Sequence, residues 1–375
     1  MSAAHVRAVP PAPAAPGPVG LGAPLDLAGP LDRGRRELVL RRGRVSVVVA
    51  RRSVVAVTVL VVLTLVVAVL TLATGDFPVA PADVLRALTG RAEGRTATVV
   101  LGWRLPRVVL GVVLGAALGV AGAMFQSLSR NPLGSPDIIG FSNGAYAGAV
   151  LVLLSGGTGY LAIAAGAVGG GLVTALVVYL LAWRRGVQGF RLIVVGIGVS
   201  AVISSVTTWL VLQAEVRLAV AATVWGAGTL NGVGWDQVRP AAGLGAVLLL
   251  GVVAVSRGMH ALELGDDAGA ALGVGVERTR LAVVVVGVAL TAVATALTGP
   301  IAFVALAAPQ LARRVLRAPG TTLVGSAAMG AFLLVACDLV AQRAFAPQQL
   351  PVGVVTVSLG GAYLVWLLVH EARSR

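Results

Sequence analysis

The feature that most limits what this chain can fold into is a succession of ten apolar runs, at 53–74, 107–127, 137–156, 158–183, 191–214, 237–256, 280–299, 301–316, 321–341 and 352–370. Bilayer hydrocarbon is about 30 Å thick, and a helix needs about 20 apolar residues to cross it. The expected fold is an all-α membrane protein, a bundle of about ten transmembrane helices. The block at 280–316 is split at Gly299-Pro300, where a tight turn is expected. A piece at 221–230, AATVWGAGTL, is too short to cross and is expected to form a re-entrant or surface helix.

Composition agrees. Hydrophobic residues make up 57% of the 375 and charged residues 12%, whereas a soluble domain carries about a quarter charged residues. The formal charge of +14 is due to arginine, because the sequence contains no lysine. A basic balance can signal nucleic acid, but these arginines cluster at the ends of apolar runs and so report topology, not a nucleic-acid partner. Cys337, the single cysteine, lies inside a run, which excludes a disulfide framework or a thiolate metal site. Residues 1–50, rich in Pro, Ala, Gly and Arg, are expected to be a disordered cytoplasmic tail, and 51–375 the membrane domain. The first apolar run is too long for the core of a secretory signal.

Orientation follows from the arginines. With the N-terminus inside, the cytoplasmic ends collect Arg33 to Arg52, Arg130, Arg184, Arg185, Arg191, Arg257, Arg278, Arg280, Arg313, Arg314, Arg317, Arg373 and Arg375. The smaller outer set is Arg86, Arg91, Arg95, Arg104, Arg107, Arg217, Arg239 and Arg343. Both termini are then cytoplasmic, in a multi-pass protein of the cytoplasmic membrane. Trp103, Trp183, Trp209 and Trp235 lie near run ends, as interfacial anchors do.

Gly111, Gly115 and Gly119 recur every fourth residue and share one helix face, which lets a neighbouring backbone approach closely. AGAVGGG at 165–171 suggests a second such contact. Between the runs, Asn131-Pro132 is expected to end one helix and Ser135-Pro136 to start the next, as N-cap and first-turn residue.

Several chemistries are disfavoured. The runs hold almost no Asp, Glu, Arg or His between their ends, Asp338 being the nearest candidate, and ion-coupled carriers use such residues to bind the driving cation. A phosphate-binding loop of the GxxxxGK[ST] kind needs a lysine, so energy for active transport would come from a partner. His5, His260 and His370 are scattered, with no catalytic constellation around them. One cytoplasmic segment stands apart: MHALELGDDAGAALGVGVERTR, 259–280, is amphipathic. Leu262 and Leu264 lead to Gly265, Asp266 is placed to cap a second short helix, and Gly273 closes it, giving a knob suited to a partner's groove.

RLPR (104–107), GAALGVAGAMFQSLSRNPLGSPDIIGFSNGA (115–145), LELGDDAGAALGV (262–274), GPIAFVALAAPQLARR (299–314) and LPVGVVTVSLGG (350–361) together resemble the permease subunits of ATP-binding-cassette importers for iron-siderophores, haem and cobalamin. The resemblance covers about residues 55–372. It implies ten transmembrane helices per subunit, a dimer with a second permease subunit (identical or related), two ATPase subunits beneath and a substrate-binding lipoprotein outside. No cofactor would be bound directly; ATP would be hydrolysed by the partner. By resemblance 259–274 corresponds to coupling helices, with Leu264, Gly265, Asp266, Ala268, Leu272 and Gly273 as the contacting core. Arg104 and Arg107 would pair with glutamates of the binding protein, with lipid headgroup anchoring as the alternative. Such rim pairs supply orientation and on-rate more than affinity.

Two positions depart from the family pattern. The third family arginine falls on Gln342, with Arg343 about 100° further round the helix, which leaves open whether Arg343 serves. Pro309-Gln310 stands where Pro-His is common. The expected function is that of the membrane-spanning, non-enzymatic subunit of an ABC importer for ferric siderophore. Haem or cobalamin is the alternative cargo, and an ion-coupled secondary transporter or a non-transporting scaffold the rival class.

Overall fold

The computed structural model describes residues 37–42, 45–157, 159–183 and 189–373, and the chain divides into two units, Met1–Ala50 and Arg51–Arg375. In the first, strands β1 (Glu37–Arg42) and β2 (Val45–Ala50) pair antiparallel, Glu37 opposite Ala50 and Arg42 opposite Val45. This corrects the reading of all of 1–50 as disordered. ELVLRR and VSVVVA are valine- and leucine-rich, and β-branched residues favour a pleated backbone; composition averaged over the tail concealed them. The remainder of the tail, with Arg184 and Arg185, lies outside the described residues.

The second unit is helical. Its elements are α1 (Arg51–Ala73), α2 (Pro81–Leu88), α3 (Gly94–Ala97), a π-helical segment (Thr98–Arg104), α4 (Leu105–Ser129), α5 (Phe141–Leu154), α6 (Tyr160–Ala182) and α7 (Gly189–Gln213). They continue with α8 (Val216–Gly226), α9 (Trp235–Glu263), α10 (Asp266–Ala271), α11 (Val276–Thr298), α12 (Val304–Leu316), α13 (Leu323–Arg343) and α14 (Val352–Arg373). Each of the ten apolar runs contains one helix, and the division at Gly299-Pro300 separates α11 from α12. Among the described residues seven helices are long and apolar enough to cross a membrane; α5 and α12, with 14 and 13 residues, are half-length. The expected short helix in the 221–230 region is α8, displaced a few residues towards the N-terminus.

Burial orders the bundle. The apolar window of the rod Gly94–Ser129 is 72% buried and that of α11 67%, against 17% for α1, α7 and α9, so α4 and α11 are central. Glycine is the reason α4 can be. An added Cβ at Gly115 would lie 2.5 Å from the Gly330 carbonyl oxygen of α13, and one at Gly119 would strike the Ser326 carbonyl. The two helices therefore touch backbone to backbone, as small residues permit. Gly111 meets only the side chains of Val335 and Leu230 at ordinary distance, so the stripe is two glycines deep on this contact, not three. The second predicted contact is also present: Gly166 and Gly170 of α6 lie against Gly148 and Gly144 of α5.

A third close approach was not legible from spacing. Pro309 has no N–H to offer the carbonyl of Ala305 one turn earlier, and that carbonyl leans into the space left by Gly122 of α4. The polar stretch between α4 and α5 differs from expectation as well. Ser135 Oγ accepts from the Ile138 N–H in a separate turn, and α5 begins only at Phe141, after Gly140 at φ +94°. Ser135-Pro136 therefore does not start α5. Instead 131–140 runs along α12: Gln310 Nε2 donates to the Pro132 carbonyl at 2.8 Å, and Gln126 Nε2 to the Leu306 carbonyl at 3.0 Å. One side-chain amide thus serves the Pro132 carbonyl, which lies outside any helix, and another ties α4 to the Leu306 carbonyl of α12.

Candidate functional site

The predicted site residues gather at the two ends of α4, whose 25 residues put about 37 Å between them. At its first end the rod widens into the π-helical segment Thr98–Arg104, a geometry that recurs at functional sites. The wide turn aims Arg104 and Arg107 differently. Arg104 folds back to donate through Nη1 to the Leu72 carbonyl and through Nη2 to the Phe77 carbonyl, both at 2.7 Å. Gly75 makes room for it, since a Cβ there would run into the guanidinium. Arg107 grips Asp338 of α13 in a two-pronged pair, Nη2 to Oδ1 at 2.7 Å and Nε to Oδ2 at 2.9 Å. Their side chains are 12% and 3% exposed, so this is an internal ion pair and not a free rim charge. Gln342 Nε2 donates to the same carboxylate at 2.8 Å. The residue that replaces the family arginine is therefore spent on Asp338, and Arg343 points elsewhere.

These residues surround a cavity of about 550 Å³, lined among others by Asp76, Phe77, Arg95, Trp103, Arg104 and Arg343. The guanidinium of Arg95 lies over the Phe77 ring at 4.9 Å. Arg343 Nε is buried and has no hydrogen-bond partner. Trp235, read as an interfacial anchor, is half-buried, and its Nε1 donates to the Leu101 carbonyl at 2.9 Å, bracing the π-helical segment. Trp103, Trp183 and Trp209 are exposed, as anchors are. Cys337, buried and free, packs in the core beside Asp338.

At the other end of α4 stands the 259–280 knob. It is not two short helices: α9 runs unbroken to Glu263, Gly265 at φ +117° turns the chain, and the six-residue α10 follows. Gly273 at φ +80° closes it, as expected. Asp266 does not cap α10; Gly265 occupies that place. The Asp266 carboxylate instead takes Arg130 Nη2 at 2.8 Å and Arg280 Nη2 at 2.6 Å. Arg130 also donates to the Leu262 carbonyl, and Ser127 to Glu263, each at 2.9 Å. Arg130 ends α4 at φ +49°, a left-handed conformation that side chains normally avoid, and these bonds hold it there. Leu264 and Leu272 face outward, 71% and 66% exposed. Ala268 lies on the same small helix, and nothing within 4 Å would obstruct a side chain at Gly265 or Gly273.

A multi-pass helical bundle with a tightly packed central rod, an arginine-lined cavity at one end and an apolar-tipped knob braced at the other defines a membrane transport permease. The chain belongs to the FecCD transport family, which it matches over residues 63–370. It is 48% identical to the ferric enterobactin transport system permease protein FepG of Escherichia coli, over 88% of this chain and all of that one. The achromobactin transport system permease protein CbrC of Dickeya dadantii is 36% identical over 92% and 99% of the two chains. Among solved structures, an inward-facing putative metal-chelate type ABC transporter superposes with a TM-score of 0.74 over 85% of this chain and 99% of the other, at 23% identity, and so shares the fold.

Proposed function

We propose that the chain is the membrane-spanning subunit of an ATP-driven importer for ferric siderophore. It pairs with a second permease subunit, sits on two ATPase subunits and receives cargo from a binding lipoprotein outside. The knob faces the cytoplasm with both termini, and the arginine-lined cavity faces out. The observation that carries this reading is the braced knob. Leu264 and Leu272 present apolar side chains to water, where each forfeits about 1.5–3 kcal/mol of burial, on a turn fixed by Asp266, Arg130 and Arg280. Exposure of that kind on a rigid support suits a groove in a partner. Asp266 works from inside this joint, holding the knob to the end of α4, so that force on the knob reaches the rod packed at the bundle's centre.

The chain needs no nucleotide site of its own, since it lacks the lysine of a phosphate-binding loop. Siderophore is favoured over cobalamin by similarity: 48% identity to the enterobactin permease extends over 88% of the chain, against 36% over 73% for a cobalamin import permease of Halobacterium salinarum. Cells lacking the chain should lose uptake of labelled ferric siderophore and regain it on complementation. Leu264→Glu with Leu272→Glu should abolish co-purification of the ATPase while leaving thermal stability of the permease unchanged. Uptake that persists without the ATPase and collapses with an ionophore would establish the ion-coupled carrier instead.

A further inference from the structure

We propose that Phe303 is a strained latch on the seam between α12 and α14, that Asp137 positions it, and that it opens during transport; the last step rests on the importer reading above. Phe303 stands at φ +69°, in the left-handed region, where a bulky side chain is a true outlier. Strain of this kind persists only where the surroundings impose it, and it gathers at switch regions. Two neighbours impose it here. On one side the Phe303 ring lies on Gly360 of α14, where an added Cβ would overlap it. On the other is Asp137, whose Oδ1 accepts from Ser142 Oγ at 2.8 Å. The Phe303 N–H stabilises the same carboxylate, and Oδ2, buried, has no hydrogen-bond partner of its own. A carboxylate withdrawn from water holds to the few donors it has, so Asp137 anchors the backbone of Phe303. Beside the latch α12 and α14 do not close on each other. A cavity of about 200 Å³ separates them, walled by Phe303, Leu311, Leu359, Gly360 and, from α13, Leu333 and Cys337.

A line of close contacts leads from the knob to this latch. Gly189, the first residue of α7, packs on Ser129, which precedes Arg130 of the knob joint. Further along α7, an added Cβ at Gly196 would lie 2.7 Å from the Ile139 carbonyl oxygen, and one at Gly140 would lie 2.7 Å from Ser200 Cβ. Asn143 Nδ2 donates to Ser200 Oγ at 2.5 Å. The 137–140 stretch therefore touches α7 on one side and Phe303 on the other. Packed contacts of this kind shift between discrete arrangements and do not deform smoothly. A movement of α7 is thus passed to Asp137, and Phe303 is the element along this line with a second, relaxed backbone conformation open to it.

Cys337 is the only cysteine and lines the cavity, so its reactivity reports the seam. The test follows its alkylation by N-ethylmaleimide, read by mass spectrometry, in the full-length permease in lipid nanodiscs, alone and assembled with the ATPase. Asp137→Ala, which alters no wall of the cavity, should speed alkylation about tenfold, the equivalent of one hydrogen bond to a charged group. Asp137→Asn keeps an acceptor and should stay within about threefold of the parent. Gly360→Ala pushes the ring away from the opposite side and should match Asp137→Ala. Thermal midpoints measured alongside distinguish an opened seam in a folded protein from unfolding. In the assembled complex, alkylation should be faster during ATP turnover than without nucleotide. Parent-like rates in Asp137→Ala and Gly360→Ala overturn the proposal, as does an Asp137→Asn rate equal to that of Asp137→Ala. So does a rate unmoved by turnover while cargo uptake continues. Siderophore uptake that survives deletion of the chain fails the importer reading instead, and the resting rates of the variants still decide the latch.

Discussion

Removing the negative member of the Arg107–Asp338 pair is the sharpest perturbation the structure offers. In Asp338→Asn the guanidinium of Arg107, 12% exposed, would keep its charge, lose its counter-charge and keep at most one of its two short bonds, because the amide has a single acceptor oxygen and turns an NH2 donor towards the other guanidinium nitrogen; Gln349 Oε1 at 3.4 Å is the remaining acceptor nearby. Breaking one partner of a buried pair costs about 3–5 kcal/mol. The adjoining cavity admits water to one side of Arg107, which places the expected loss at the lower end, about 3 kcal/mol. For a chain of 375 residues each kcal/mol moves the midpoint by about 1–2 °C, so a fall of about 3–6 °C is expected. Cys337 supplies the assay. It is the only cysteine, buried and adjacent to the site, so a thiol-reactive dye reports opening of this helix specifically as temperature rises in detergent. Replacing both partners by apolar residues, Arg107→Leu with Asp338→Leu, should recover much of the loss, because no charge is then left buried. A single variant within about 0.5 kcal/mol of the parent, the scatter of ordinary surface substitutions, would refute the reasoning, as would a double variant no better than the single.

Three further outcomes follow from the packing. Gly119→Ala should destabilise by about 1–3 kcal/mol, since α4 and α13 must part to admit the methyl, while Gly111→Ala should cost less than about 1; the same dye assay ranks them. Gln310→Leu leaves the Pro132 carbonyl without its donor and should cost about 1–3 kcal/mol, measured by the midpoint, with Gln310→His restoring part of it if the ring can reach that carbonyl. Asp266→Ala should reduce transport-coupled ATP hydrolysis in the assembled complex more than it reduces ATPase co-purification, because it loosens the knob from α4 without altering Leu264 or Leu272. Equal loss of both would return Asp266 to the docking surface.

Hydropathy was sufficient to place every long helix, because a bilayer offers apolar chain few alternatives. The glycine stripe was legible for the same reason: spacing fixes a face. What spacing cannot supply is the partner. Nothing in 104–107 announces that Arg107 closes on an aspartate 231 residues away, and two arginines at the mouth of a run look alike until the π-helical turn separates them. Asp266 was misread for a related reason. An acid after glycine before a short helix satisfies the capping pattern, but Arg130 and Arg280 attract it more strongly than the N–H groups it would have capped.

The stretch 131–140 shows how such long-range demands reshape local structure. Taken alone, Asn-Pro then Ser-Pro makes a turn with a helix on each side. In the fold, Pro309 withholds an N–H from the Ala305 carbonyl of α12, and Gln310 beside it turns its side-chain amide to the Pro132 carbonyl. Pro132 takes that one donor, and 131–140 remain outside any helix before the 14-residue α5. Non-helical backbone inside a helical bundle needs partners from the protein; Gln310 supplies one to the Pro132 carbonyl, while Gln126 reaches the Leu306 carbonyl of α12. Both are glutamines reaching backbone carbonyls, a task that requires a donor and no titration. At Gln310, therefore, the amide in place of the family's common histidine fits a fixed brace beside a broken helix better than a site that gains and loses a proton.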